Sequence, residues 1–236
     1  MAVTPQSGLT MDAVVAHASF DFALEDPKRL LDLHYAEVKR HPGRPSRQLE
    51  VFKRAAVILS VTAWESFIED AIRAWAVFLL ERAESPADVQ KWFNSVAAGW
   101  LNDSPKPPAL ASWTAREWKA LLRHRLEKDL RALNTPDSEN IRGLSRRYLE
   151  LDLTVNWSWP RTTSSAACKR LDDLIGLRGE LVHNGPEYFP GHRRVLQGKG
   201  RAAAKNLCLK DASDGVALIS KLAECTRRAV YDAAKA

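Results

Sequence analysis

Apolar side chains recur at helical spacing over the long stretch from Gln48 to about Ala83. They are Phe52, Ala56, Leu59, Ala63, Phe67, Ile68, Ile72, Trp75 and Leu79. This period is typical of a helix with a broad apolar face, which must be covered by other elements. We therefore expect this helix to be the central spine of the fold.

Helices dominate the rest of the predicted secondary structure. Capping residues, prolines and glycines place them from Asp26 to about Arg40, Ser85 to about Gly99, Thr114 to about Leu133, Thr135 to about Leu149, Thr163 or Ser164 to Asn184, and Ser213 to about Ala234. Residues 1–25 have no clear period and are predicted to form an N-terminal arm, and Asn102 to Pro108 is too rich in proline to be helical. Alternation from Leu151 to Trp159 indicates either one short strand or an extended loop pinned by its tryptophans.

The composition fits one domain over residues 1–236. At 45% hydrophobic, a chain of this length needs neither a disulfide nor a metal to fold. Its three cysteines, Cys168, Cys208 and Cys225, form no Cys-x-x-Cys pair, which argues for a reducing compartment and against a zinc site. Neither a signal peptide nor an apolar run of the ~18 residues that span a bilayer is visible. We expect a cytoplasmic protein with no membrane contact.

One charged residue interrupts an apolar helical stripe near the end of the chain. Arg178 lies within the arc formed by Leu171, Leu174, Leu177, Leu181 and Val182. An unpaired guanidinium there would cost several kcal/mol, so it should face a carboxylate, a wet groove, a second subunit or an anionic ligand. His183 follows five residues later, just before Asn184-Gly185-Pro186 ends the helix.

The arrangement of Arg178 and His183 resembles the R-X4-6-H signature of HEPN domains. The segment Val61–Asp70, with Trp64 followed by Glu65, is similar to an early helix in the RiboL-PSP branch of that family. The resemblance implies an all-α fold, a HEPN-like bundle of about four core helices. These would be the helices that begin near residues 26, 48, 164 and 213, with residues 85–162 as a helical insertion.

The resemblance also implies a metal-independent endoribonuclease with no cofactor. The ribose 2′-hydroxyl attacks the neighbouring phosphorus and leaves a cyclic phosphate and a 5′-hydroxyl. His183 would handle protons, and Arg178 would neutralise the developing charge. Five helical residues correspond to about 140° of rotation, so the two side chains do not share a face unless the helix unwinds or two subunits contribute.

In HEPN nucleases two subunits contribute to one cleft, so the resemblance implies a homodimer with a composite active site. The implied role is a toxin or phage-defence effector that cleaves RNA, with an antitoxin or a defence-system protein as a further partner.

Three residues are predicted to support the site: Glu65, Glu69 and Asn184. Glu65 is the preferred partner of Arg178, because Glu69 has Arg73 four residues beyond it. A paired-carboxylate acid–base or metal site at Glu65 and Glu69 is the alternative.

A second interpretation is a catalytically inactive HEPN-like module that binds RNA or another protein. Arg178 would then form an internal ion pair with Glu65 or Glu69, and His183 would cap helix carbonyl groups. Gly179 departs from the family pattern, which often has a polar residue after the arginine, and this bears on activity more than on fold. A third interpretation is a helical domain with a fortuitous motif and an unrelated site in residues 85–162.

The charge of the chain favours an acidic partner. The net charge is +6, and a basic loop over residues 186–212 follows the motif closely. Its candidate RNA-binding residues are Arg193, Arg194, Lys199, Arg201 and Lys205, although a solvated loop would have the same composition. Trp157 and Trp159 either stack on unpaired bases or pin their own loop to the domain.

Overall fold

The computed structural model describes residues 18–40, 49–103, 117–133, 135–183 and 207–235. The helices in these ranges are α1 (Glu25–Arg40), α2 (Glu50–Arg82), α3 (Gln90–Asp103), α4 (Trp118–Arg131), α5 (Ser138–Tyr148), α6 (Ser164–His183) and α7 (Leu209–Lys235). Two 3₁₀ turns, Pro86–Val89 and Leu153–Asn156, join some of them. No strand occurs in these ranges, so the all-α prediction is confirmed.

The predicted spine is the helix α2, and it organises the core. α1, α6 and α7 pack along it, and α4 and α5 contact it as well. Its fully buried residues include Val57, Trp64, Ile68, Ile72 and Leu80. Because neighbours cover several of its faces, α2 is apolar around much of its circumference.

The helix boundaries differ from the predicted ones mainly at three places. Residues 18–23, within the predicted arm, are helical, and Phe20 and Leu24 are buried in the core. α3 continues past the predicted end at Gly99 to Asp103, so the start of the proline-rich segment is helical and its remainder lies outside the described residues. α7 begins at Leu209, before the predicted start at Ser213.

The strand prediction for the segment from Leu151 to Trp159 is wrong. Leu153 and Trp157 are buried while Val155 is exposed, which is the spacing of a helical turn rather than one face of a strand. The indole N–H of Trp157 donates to Thr226 Oγ1 at 3.0 Å. The alternative, a loop pinned by its tryptophan, describes this segment, and Trp157 is not available to stack on a base.

No helix in the described ranges has the length and hydropathy needed to span a membrane. The predicted domain boundaries, including the insertion over residues 85–162, stay a prediction.

Candidate functional site

Arg178 and Glu65 face each other across the contact between α6 and α2. Arg178 Nη2 lies 3.9 Å from Glu65 Oε2, and the two side chains are 32% and 22% exposed. This distance is that of a loose ion pair without a hydrogen bond. Arg178 Nε is buried and has no hydrogen-bond partner among the described residues. The guanidinium is therefore held near Glu65, but its Nε–H donates no hydrogen bond to the described residues.

The sequence Trp64-Glu65 explains how the carboxylate reaches this position. Trp64 is fully buried, and its indole N–H donates to the carbonyl oxygen of Pro136 at 3.2 Å. Its ring also meets Trp157 edge-on, with the centroids 5.7 Å apart. The next residue on a helix is rotated by about 100°, which places Glu65 at the half-buried edge of α2. The tryptophan therefore fixes the helix, and the glutamate faces the site.

Both glutamates on this face of α2 have raised pKa values. Burial raises the pKa of Glu65, and the positive charge of Arg178 opposes that shift. Burial also raises the pKa of Glu69; Arg73 lowers it, and the negative charges of Glu65 and neighbouring carboxylates raise it further. The nearby arginines therefore stabilise the charged form of these carboxyl groups less than burial destabilises it.

Arg73 does not form the predicted ion pair with Glu69. Its Nη1 donates to Asp70 at 2.6 Å, and its Nε donates to Glu127 of α4 at 2.9 Å. The prediction is wrong because two other carboxylates compete for Arg73: Asp70, three residues earlier on the same helix, and Glu127, which α4 supplies. In the described part of the chain, no group of three or more His, Cys, Asp or Glu residues is arranged to hold a metal ion.

His183 is the last residue of α6 as the structure describes it, one residue before the predicted end of the helix at Asn184. Its side chain and Asn184 lie outside what the structure describes, as do the candidate RNA-binding residues Arg193, Arg194, Lys199, Arg201 and Lys205. Of the predicted site, the structure therefore pairs Arg178 with Glu65, and Glu69 lies one turn along α2 from Glu65. The catalytic, supporting and RNA-binding roles stay predictions.

Gly179 follows the motif arginine, and a Cβ atom there would meet no atom of another described element within 4 Å. The same holds for Gly176, one turn earlier on α6. Packing among the described residues therefore requires glycine at neither position.

Three arginines of α5 are already engaged with carboxylates. Arg146 Nη2 lies 2.8 Å from Asp152 Oδ2, and Arg142 Nε lies 3.6 Å from the same atom. Arg147 Nη1 lies 2.7 Å from Asp129 Oδ2. The basic cluster visible in the sequence here is balanced by two aspartates, so it contributes less free positive charge than its composition indicates.

Asp172 of α6 has a role that sequence reasoning missed. Its carboxylate accepts hydrogen bonds from the backbone N–H and the hydroxyl of Ser138, both at 2.8 Å. Ser138 is the first residue of α5, so an aspartate from another helix caps the start of α5. Local sequence carries no signal for a cap that comes from 34 residues away.

The described part of the chain is all-helical, as a HEPN-type domain is. The RiboL-PSP-HEPN family model matches residues 24–226, and the protein belongs to this family, as the resemblance predicted. A comparison with curated proteins and one with solved structures found no match.

Proposed function

We propose that the protein is a metal-independent endoribonuclease that acts in the cytoplasm as a toxin or phage-defence effector. The observation that carries this proposal is the state of Arg178. Its guanidinium is oriented by α6, partly buried, and only loosely paired with Glu65. Membership of the RiboL-PSP-HEPN family supports a nuclease-type function.

A phosphate group is a suitable ligand for a guanidinium in this condition. The planar fork of arginine can donate two hydrogen bonds to a phosphate, and these strengthen as charge accumulates in the transition state. Because the partner carboxylate lies 3.9 Å away, the guanidinium does not have to break a short hydrogen bond to receive the phosphate. Glu65 then serves as a positioning residue that keeps the arginine in place.

The proposed reaction needs proton transfer as well as charge stabilisation. The 2′-oxygen forms a bond to phosphorus while the bond from phosphorus to the 5′-oxygen breaks. The proton of the 2′-hydroxyl passes to a base, and the 5′-oxygen receives a proton as it leaves. Imidazole can perform these transfers near neutral pH, and we assign them to His183.

A homodimer accounts for the separation of Arg178 and His183 around α6. Gly176, Gly179 and the half-exposed Val182 lie at helical spacing on one side of α6. A surface of small residues allows a second helix to approach closely, so we place the dimer contact there. RNA is the substrate, the basic loop of residues 186–212 binds its backbone, and an antitoxin or defence-system protein is a further partner.

The dimer contact is tested with Gly179→Leu. Among the described residues of one chain, a Cβ atom at this position meets no other atom within 4 Å, so the monomer should stay folded. In a close helix–helix contact it would separate the two copies. Sedimentation should show a wild-type dimer and a monomeric variant; a variant that dimerises as tightly as the wild type would exclude this face.

The activity is tested by incubating purified protein with total RNA and transfer RNA in excess EDTA. We expect cleavage that leaves cyclic phosphate ends and that is lost in His183→Ala and Arg178→Ala of verified fold. His124→Ala, a change at an exposed histidine of α4, is the matched control and should cleave normally. If the wild type leaves RNA intact, the inactive binding module, in which Arg178 and Glu65 are only an internal ion pair, replaces the enzyme.

A further inference from the structure

A second site lies at the C-terminal end of α2. A cavity of about 350 Å³ opens there between α2, the first 3₁₀ turn, α3 and the ends of α5 and α7. Leu79, which lines it, is fourteen residues beyond Glu65. On a helix this is about 21 Å along the axis, so the cavity is distinct from the Arg178 site. Its volume is within the range of small-molecule sites.

Aromatic rings form much of the cavity wall. Trp75 stacks on Phe78 with ring centroids 5.0 Å apart, and Trp92 meets Tyr148 edge-on at 5.3 Å. The hydroxyl of Tyr148 is not available to a ligand, because it donates to Asp129 at 2.6 Å. A wall of this kind favours flat apolar ligands.

The charged groups at the mouth are balanced within the protein. Asp88 accepts hydrogen bonds from the two backbone N–H groups before the 3₁₀ turn, each at 2.8 Å. Glu150 lies 3.2 Å from Lys91, and the guanidinium of Arg82 lies over the ring of Phe78 at 5.1 Å. The formal charges at the mouth, two negative (Asp88 and Glu150) and two positive (Lys91 and Arg82), sum to zero, so the cavity favours an uncharged compound.

Two hydrogen-bond donors of lining residues lack an acceptor. The indole N–H groups of Trp75 and Trp92 are shielded from solvent and have no partner among the described residues. An indole N–H can only donate, and leaving one buried and unpaired costs about 1–3 kcal/mol. A ligand with acceptor atoms on its edge would recover part of this energy.

We propose that this cavity binds a small, uncharged, planar heteroaromatic compound with hydrogen-bond acceptors on its edge, of which a nucleobase is the natural representative. The rings of the wall supply stacking or edge contacts. The two indole N–H groups are covered in this structure, so each ring must turn towards the cavity before it donates to the edge of the ligand. Glu150 at the mouth has the left-handed backbone, with φ 52°, that is common just after the end of a helix.

The test uses adenine together with a pair of probes that differ in one atom. 7-Azaindole has the shape of indole and adds one ring acceptor, so the ratio of their affinities isolates the contribution of the acceptor. We expect adenine and 7-azaindole to bind in ligand-detected NMR and calorimetry, with 7-azaindole about fivefold tighter than indole, the size of one neutral hydrogen bond. Benzoate and benzamidine serve as the anionic and cationic probes and should bind more weakly.

Variants then locate the binding. Leu79→Trp fills the cavity from a partly exposed position and should abolish binding. Leu33→Trp, a matched change at an exposed position on α1, should leave it unchanged. Trp75→Phe keeps a ring but removes one donor, and should reduce the preference for 7-azaindole over indole. Thermal unfolding confirms that each variant is folded.

Three results would overturn the proposal. The first is that neither adenine nor 7-azaindole binds to the wild type. The second is that their binding survives Leu79→Trp. The third is that indole or a charged probe binds as tightly as 7-azaindole. None of these results depends on whether the protein cleaves RNA.

Discussion

Arginine–carboxylate pairs occupy two different settings in this protein. At α4 and α5, Asp129 is 11% exposed and receives Arg125 Nε at 2.9 Å and Arg147 Nη1 at 2.7 Å. At the contact of α6 and α2, Arg178 and Glu65 are 3.9 Å apart, and Glu65 is 22% exposed. Both settings combine guanidinium groups with a carboxylate, but the first carboxylate is saturated with donors and the second is not.

The number of short hydrogen bonds distinguishes two kinds of arginine. Those around Asp129 stabilise the fold, whereas Arg178 is able to bind a ligand. A carboxylate saturated with short hydrogen bonds leaves its arginines little freedom, and losing it would leave buried charges unpaired. A loose pair contributes little to stability, and its guanidinium can turn to a phosphate at small cost. In the second setting, the pKa of Glu65 is raised by burial despite Arg178. The pair therefore does not fully compensate the burial of its carboxylate.

The largest expected effect is on activity, from Arg178→Ala. We expect RNA cleavage to fall by at least ~100-fold, the effect of losing a donor that stabilises transition-state charge. The free energy of unfolding should change by less than about 1 kcal/mol, because the pair is loose and only partly buried. Initial cleavage rates and urea denaturation of the same preparation measure the two quantities. A large loss of stability with normal cleavage would mean that Arg178 stabilises the fold and does not act in the reaction.

Asp129→Ala should show the opposite pattern. Its carboxylate accepts from two arginines and from the hydroxyl of the buried Tyr148, so its loss leaves several donors unpaired. We expect the free energy of unfolding to fall by about 3 kcal/mol, the usual cost of breaking a buried pair. Cleavage per folded molecule should be unchanged. Urea denaturation measures the effect; a change below ~1 kcal/mol would mean that this network is not structural.

A smaller loss of stability is expected from Asp172→Ala. The change removes a cap that receives two hydrogen bonds at the first residue of α5. Loss of a helix cap costs about 1 kcal/mol. Asp172→Asn keeps one acceptor oxygen and is the matched control, with a smaller loss expected in thermal unfolding. Equal stability of wild type and Asp172→Ala would show that Asp137, whose side chain accepts from Asn140 N–H, caps α5 alone.

The sequence was informative where the physical cause is local. Helical spacing predicts α2, because the apolar residues of its buried face recur every three to four positions along consecutive turns. The same spacing identified Arg178 as a charge inside an apolar stripe. The sequence also favoured Glu65 over Glu69 as its partner, but for a reason that the structure contradicts, an ion pair between Arg73 and Glu69. The pairing of Arg178 with Glu65 is the one that the structure forms.

The sequence was not informative where a distant segment competes for a side chain. Arg73 pairs with Glu127 of α4, as well as with its own neighbour Asp70, instead of with Glu69. Asp172 caps a helix that begins 34 residues earlier. The alternation around Trp157 indicated a strand, yet a 3₁₀ turn forms there with Asp152 accepting from the N–H of Thr154. In each case the local structure depends on a hydrogen bond from a particular side chain. The spacing of apolar residues carries no information about such a bond.

The smallest expected effect is a pH dependence of stability at the loose pair. The raised pKa of Glu65 means that the folded protein binds its proton more readily than the unfolded chain does. This contribution to stability is fully present below the ordinary pKa of 4.5 and is lost as pH rises through the higher folded value. Glu65→Gln cannot ionise, so its stability relative to the wild type should increase as pH rises from 4 towards 7.

Urea denaturation of wild type and Glu65→Gln at several pH values measures this difference. Glu37→Gln, at a carboxylate of α1 distant in sequence from the site, serves as the control for a general loss of negative charge. If the difference between Glu65→Gln and wild type decreases with pH, the pKa of Glu65 is lowered in the folded protein. Arg178 would then stabilise the carboxylate as the Asp129 network does, and the guanidinium would be a scaffold group like the arginines of α5.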